Sequence, residues 1–220
     1  MIAQKIYVLK AHWRRRDAKL PFFSLGAAAY MDSGRSRAEK ARYLRLARLT
    51  NPVLSQEFGP TYEKLRKKLS ILLRAPVFQS NDIALPGFHI FQEQSHRLGP
   101  LGNAHFDLQY QILPKQIFQG KSIQAVASFT LPLVLPDREA GLRLWDCDYL
   151  RAQMNWNKPL KQILRTVDHR IMRYRVGHLF LHSGLIAHQP IGKTYHQKGT
   201  ARITLQGHLI QIQNKWMIYW

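Results

Sequence analysis

From residue 81 onward the chain is cut into short runs rich in β-branched and aromatic residues, each bounded by Gly, Pro, Asn or Asp. The runs cover 87–92, 104–112, 123–135, 141–145, 170–176, 178–182, 201–213 and 216–220. Many short strands with few helical stretches between them bury their apolar sides only by closing into a barrel or by packing two sheets face to face. The expectation is a mainly β fold of the barrel or double-sheet jelly-roll kind. A longer insertion between Asp146 and Asp168 is expected to hold a short helix over 160–167, and Asn214-Lys215 to turn a final hairpin. That hairpin, with Trp216 and Trp220, is either an exposed edge that pairs with another subunit or a strand folded onto the core.

The N-terminal third reads differently. Residues 5–9 predict a short strand, and Trp13-Arg14-Arg15-Arg16 is a basic run, of the kind that grips phosphate or, more commonly, is solvated. Residues 36–50 predict a helix from Ala38, Ala41, Leu44 and Ala47, stopped at Asn51-Pro52. Residues 61–73 predict a second helix with Tyr62, Leu65, Leu69 and Leu72 as its apolar stripe. Lys64, Arg66, Lys67, Lys68 and Arg74 make its outer face basic. Such a face binds an acidic partner or nucleic acid in some proteins and is a solvated surface in most; the second reading is expected here. The division is one domain over 1–220, with helices packed on its outside over 1–80 and a β core over 81–220.

Composition narrows the class. A net charge of +20, from 33 basic and 13 acidic residues, favours an anionic partner such as nucleic acid, an acidic carrier protein, or a phosphorylated or carboxylated substrate. No base-reading motif accompanies the charge. The one cysteine, Cys147, excludes an internal disulfide framework and a Cys-rich zinc site. The longest apolar run, 125–135, contains Pro132 and is roughly half of the ~20 residues a membrane helix needs. The first residues lack the order of a signal peptide. The expectation is a soluble cytoplasmic protein with no membrane partner.

The chemistry centres on Asn103-Ala104-His105-Phe106-Asp107-Leu108-Gln109. On a strand, His105 and Asp107 share one face and Phe106 takes the other. One imidazole and one carboxylate are two-thirds of a facial iron(II) site. His188 lies downstream, six residues after His182, and Arg202 and Thr204 follow two apart in another strand. Two histidines and a carboxylate leave one side of iron(II) open. A dicarboxylate bound there needs a planar, permanently charged fork for its far end, which arginine supplies and a hydroxyl assists.

This set, His105-Phe106-Asp107, His188 and Arg202 with Thr204, together with the strand 129–133 and the glycine turn and strand 177–182, resembles the Fe(II)/2-oxoglutarate-dependent dioxygenases. The resemblance covers roughly 85–210. It implies a double-stranded β-helix core, and Fe(II), 2-oxoglutarate and O2 as requirements, with succinate and CO2 as coproducts. It implies His105, Asp107 and His188 as iron ligands and Arg202 with Thr204 as the clamp on the distal carboxylate. His182 competes with His188, but the family pattern places the ligand several residues after the strand and so favours His188. Gln109 and Thr130 are further candidates to line the cosubstrate site, although a structural role is the commoner one for such residues. His89, His96, His178, His196 and His208 have no partner at ligand spacing and read as ordinary strand histidines.

A carboxylate at position 107 speaks for hydroxylation, because the halogenating branch carries a small residue there. The nucleic-acid demethylase branch carries a second arginine six residues after the first, where this chain has His208. The expected substrate is therefore a small or carrier-bound molecule, anionic in keeping with the charge. Oxidation of nucleic acid, or a non-enzymatic basic jelly roll, is the alternative. Trp145, Tyr149, Met154 and Trp156 in or beside the insertion form either a substrate lid or packing at the barrel mouth.

Overall fold

A computed structural model describes residues 2–92, 102–118, 120–136, 139–154, 157–192 and 201–220. His96, Trp156 and His196 lie outside the described residues. In chain order the helices and strands are α1 (Ile2–Val8), β1 (Arg14–Arg15), β2 (Phe22–Leu25), α2 (Ala29–Asp32), α3 (Arg37–Leu73), β3 (Val77–Gln79), β4 (Gly87–Gln92), β5 (Ile123–Val134), β6 (Gly141–Asp148), α4 (Tyr149–Gln153), α5 (Leu160–Ile163), β7 (His169–Arg173), β8 (Phe180–Ser183), β9 (Ile186–Ile191), β10 (Ala201–Ile212) and β11 (Lys215–Tyr219). Two sheets carry the fold, antiparallel except where β3 joins β11; the fold is mainly β and jelly-roll-like, with helices at its N-terminal side. In the larger sheet, β10 pairs along one edge with β5, which pairs with β8. Along its other edge β10 pairs first with β4, then with β11. The smaller sheet has the order β7-β6-β9. Among the described residues no helix is long and apolar enough to cross a membrane.

The first segment is a helix where the sequence predicts a strand. Ile2, Ile6, Leu9 and Trp13 recur at helical spacing, and all four meet the core cluster that includes Leu54 and Phe58. That stripe decides for α1 over the local β propensity of 5–9. The arginine run is solvated only in part. Arg15 is exposed, whereas the Arg16 side chain is only 7% exposed and donates from both terminal nitrogens to Asp32 at 2.7 Å.

The two predicted helices are one. Ser36 caps α3 through a reciprocal box with Glu39, and the helix continues through Pro52 and Pro60 to Leu73. A proline inside a helix removes one backbone bond and crowds the preceding turn. Here both prolines sit on the exposed side, while Tyr43, Ala47, Leu54, Phe58, Tyr62, Leu65 and Leu69 keep one buried stripe across them. Asn51, the expected stop, instead ties the helix to the β core. Its amide donates to the Ile83 carbonyl at 2.9 Å and accepts from the Leu85 N–H at 3.0 Å.

Alternation along β10 divides the larger sheet. Ile203, Leu205 and Leu209 join the cluster under α3. Arg202, Thr204, Gln206 and His208 occupy the opposite face and line a cavity shared with Leu142, His188 and Pro190 of the smaller sheet. The terminal hairpin folds onto the core. Trp216 and Trp220 are buried, and β11 takes β3 as a parallel neighbour. Gly87 is needed there, because a Cβ would stand 1.9 Å from the Trp220 ring.

The predicted strand 104–112 is reduced to a single bridge between His105 and His188. After Asp107 the chain turns: Leu108 N–H donates to Phe106 O, and residues Gln109–Ile112 form a 3-10 turn. Phe106 faces away from the cavity and packs edge-on against Tyr149. No strand is predicted over 186–191, although β9 there carries His188.

Candidate metal and cosubstrate site

Three elements bring the polar groups together. The extended segment before the 3-10 turn supplies His105 and Asp107, β9 supplies His188, and β10 supplies Arg202 and Thr204. Ligand atoms of His105, Asp107 and His188 lie within 4.8 Å of one another. Nε2 of His188 is 3.3 Å from Asp107 Oδ2, and Nε2 of His105 is 3.7 Å from Oδ1.

The second ring nitrogens determine which atoms are available. Nδ1 of His105 lies 2.8 Å from the Asn103 carbonyl, and Nδ1 of His188 lies 2.9 Å from the Ile186 carbonyl. A carbonyl only accepts, so each Nδ1 carries the proton and each Nε2 presents a lone pair. Burial by itself would push the Asp107 carboxyl up. His188, His208, His105 and His182 around it outweigh that effect and hold it well below the usual carboxylate range. His188 is pushed down to about 4, first by burial, with Asp107 opposing. Two imidazoles that turn Nε2 toward an ionised carboxylate are the donor set a divalent cation takes.

The site has an outer ring of support. Gln109 donates from Nε2 to Asp107 Oδ1 at 2.9 Å, and its Oε1 is buried with no hydrogen-bond partner. An orphan acceptor beside such a donor set fits a water or ion in the cavity. His208 Nδ1 lies 3.8 Å from Asp107 Oδ2 and 3.0 Å from the Ser128 hydroxyl. The His182 ring stands 4.6 Å from the His188 ring, and its Nδ1 is held by the Ser183 carbonyl at 3.0 Å.

Away from the metal ligands, the cavity of about 460 Å³ reaches Arg202. Arg202 is buried and donates from Nη1 to the Ile191 carbonyl at 3.2 Å. Its guanidinium lies over the Tyr174 ring, 5.6 Å from the centroid. Tyr174 hydrogen-bonds Thr130, and Gln206 donates to the Thr204 hydroxyl at 3.1 Å. The β4 side of the same cavity is aromatic. Phe22 and Phe91 stack at 4.2 Å, and Tyr30 hydrogen-bonds His89 Nε2. Trp145 and Tyr149, considered above as lid residues, do not line it.

All seven sequence-predicted residues, His105, Asp107, Gln109, Thr130, His188, Arg202 and Thr204, line this one cavity. Tyr174 also lines it, and nothing in its sequence neighbourhood marks it as polar-site chemistry. His208 and His89, expected to be ordinary strand histidines, both line the cavity. For His208 the signal was present: it continues the alternate positions 202, 204 and 206 of one strand face.

Comparison with solved structures finds an N-substituted L-amino acid dioxygenase from Burkholderia ambifaria AMMD. It aligns at TM-score 0.55 and 17% identity, over 86% of this chain and 73% of that one. The same enzyme in complex with alpha-KG aligns at TM-score 0.52 and 15% identity, over 100% of this chain and 91% of that one. At this identity the likeness is one of fold. No protein-family model matches the chain, and no curated protein matches it in sequence.

Proposed function

We propose that this protein is an Fe(II)/2-oxoglutarate-dependent oxygenase that hydroxylates a small molecule, with residues 1–220 acting as one oxygenase domain. The observation that carries the reading is the pairing, in one cavity, of the His105, Asp107 and His188 donor set with a buried arginine beyond it. The fold likeness to a dioxygenase solved with alpha-KG supports it. When bound, iron(II) with 2-oxoglutarate and O2 supplies the oxidising chemistry and leaves succinate and CO2 as coproducts.

The chain's own residues then have defined tasks. His105 and His188 hold iron(II) through Nε2, and Asp107 through its carboxylate. Gln109 fixes the carboxylate's orientation through its hydrogen bond to Oδ1. Arg202 and the Thr204 hydroxyl bind the distal carboxylate of 2-oxoglutarate, a charge-assisted contact that Lys would make less well. Tyr174 and Thr130 close the other side of that carboxylate. The Phe22 and Phe91 stack, with Tyr30 and His89, receives the substrate's apolar body.

The test is anaerobic addition of Fe(II), then 2-oxoglutarate, to metal-free protein, followed by the visible charge-transfer band. A band that His188→Ala loses, and that needs more 2-oxoglutarate in Arg202→Ala, supports the assignment. A folded protein that gives no band sinks it and returns attention to a non-enzymatic jelly roll. With the band in hand, succinate release across a screen of small acids and amino-acid derivatives identifies the substrate.

A further inference from the structure

A second concavity, of about 640 Å³, is built from residues the oxygenase reading does not use. One wall is the first part of α3, where Arg37, Lys40, Ala41, Leu44 and Arg48 recur at three- and four-residue spacing and so share one helix face. The other wall is Pro114, Lys115, Gln116 and Ile117, at the 3-10 turn Lys115–Phe118. Arg35 closes the end, and Asp82 is its lone acid against five cations.

These cations are not spent within the chain. The acids of α3 are engaged elsewhere: Glu39 in the helix cap, Glu57 with Lys5, and Glu63 with Lys67. Among the described residues Arg35, Arg37, Lys40, Arg48 and Lys115 form no ion pair. The floor between them is aliphatic, made by Ala41, Leu44, Pro114 and Ile117. Leu44 and Ile117 are half-buried because they also pack on the cluster around Tyr43 and Ala47.

We propose that this groove docks an acidic amphipathic helix of a partner protein. An aliphatic floor with a cationic rim is the complement of a helix whose apolar stripe is flanked by carboxylates. A helix with its side chains is about 10 Å across, so a groove of this size seats one face of a short helical segment. Single-stranded nucleic acid is the weaker fit, because its bases stack on aromatic side chains and no described residue of the groove is aromatic. The location adds a functional link. Met31, four residues before Arg35, and Gln109, six residues before Lys115, both line the oxygenase cavity. A partner held here contacts the continuation of two segments that shape that cavity. The inference does not depend on the oxygenase reading.

The experiment is fluorescence anisotropy of the whole protein with three labelled probes. One is a synthetic Glu/Leu peptide of about four helical turns with its leucines on one face. The second has the same composition in scrambled order, and the third is a single-stranded oligonucleotide of equal charge. The expected result is at least tenfold tighter binding of the amphipathic peptide than of either other probe. Lys40→Glu with Arg48→Glu should abolish that preference. So should Ala41→Glu, which places a carboxylate on the exposed floor. Lys64→Glu with Lys68→Glu, an equal charge change on the far part of α3, should leave the affinity unchanged, and thermal unfolding checks each variant's fold. Equal affinity for the two peptides, tighter binding of the oligonucleotide, or an equal loss in the Lys64/Lys68 variant would overturn the proposal.

Discussion

His105 and His188 exchange both backbone hydrogen bonds across an isolated antiparallel bridge. Each N–H reaches the other's carbonyl at 2.9 Å, and the rings stand 4.4 Å apart. The backbone therefore fixes the relative position of two imidazoles from segments far apart in sequence. With Nδ1 of each ring held by a carbonyl, little freedom remains to be lost when an ion binds.

Metal binding should accordingly appear as stability. A ligand at a hundred times its Kd, bound only by the folded state, contributes about 2.7 kcal/mol. Metal-free protein is expected to unfold at a higher temperature when Fe(II) is added anaerobically, and His188→Ala should lose most of that gain. An equal rise in both proteins, read by thermal unfolding, would remove His188 from the ligand set.

Arg202 is a fork over the Tyr174 ring, not only a positive charge. Arg202→Lys keeps the charge but gives up paired donation to a carboxylate. Hydrogen bonds to charged groups contribute about 1.5–3 kcal/mol, so the Kd for 2-oxoglutarate should rise roughly 10- to 150-fold. Tyr174→Phe removes one hydroxyl that bonds Thr130, and a loss of about fivefold is expected. Titrating the charge-transfer band in each variant measures both. An unchanged Kd in Arg202→Lys would place the dicarboxylate's far end elsewhere.

Arg16 and Asp32 form the buried ion pair of the N-terminal segment, with side chains 7% and 3% exposed. Asp32 also accepts from the Ala28 N–H at 2.9 Å, and Arg14 lies 3.3 Å away. Asp32→Asn leaves a buried guanidinium without its counter-charge, a change that typically destabilises by about 3–5 kcal/mol. The urea midpoint should fall steeply. Lys67→Ala, which breaks an exposed helix-surface pair with Glu63, should leave it where it is.

The parts of this molecule that were legible in the sequence are those fixed by short-range pattern. β10 announces itself through period-two alternation at 201–206, and β5 and β11 as apolar runs bounded by turn residues, while parity places Arg202 with Thr204 and His105 with Asp107. What was not legible depends on long-range packing. Pro52 and Pro60 are strong local stop signals, yet a stripe running from Tyr43 to Leu69 carries α3 through both. Residues 5–9 have strand propensity, but Ile2, Ile6, Leu9 and Trp13 fit a helix only once the core they meet is known. Tyr174 reaches Arg202 from beyond β7, a proximity that no spacing in the sequence encodes.

His89 gives the chain a pH dependence distinct from metal binding. It is buried on the floor of the cavity, bonded to Tyr30, with its pKa pushed from 6.5 down to about 3. Burial is the leading cause, and the charges of Arg16, Arg202 and His208 add to it. In the unfolded chain the same imidazole takes up a proton near its ordinary pKa. The unfolded state therefore binds more protons than the folded state between those two values. Its contribution to stability is full above about pH 6.5 and is lost progressively as the pH falls toward 3. Each such group gives a slope of about 1.4 kcal/mol per pH unit inside its window. Burial also lowers His182, His188 and His208, so metal-free protein should show a slope steeper than one proton. His89→Gln should reduce it by about one proton's worth while leaving the others. Urea unfolding of metal-free protein at several pH values across that window measures the difference. The same slope in the variant as in the parent would mean that His89 titrates in the fold as it does in the open chain.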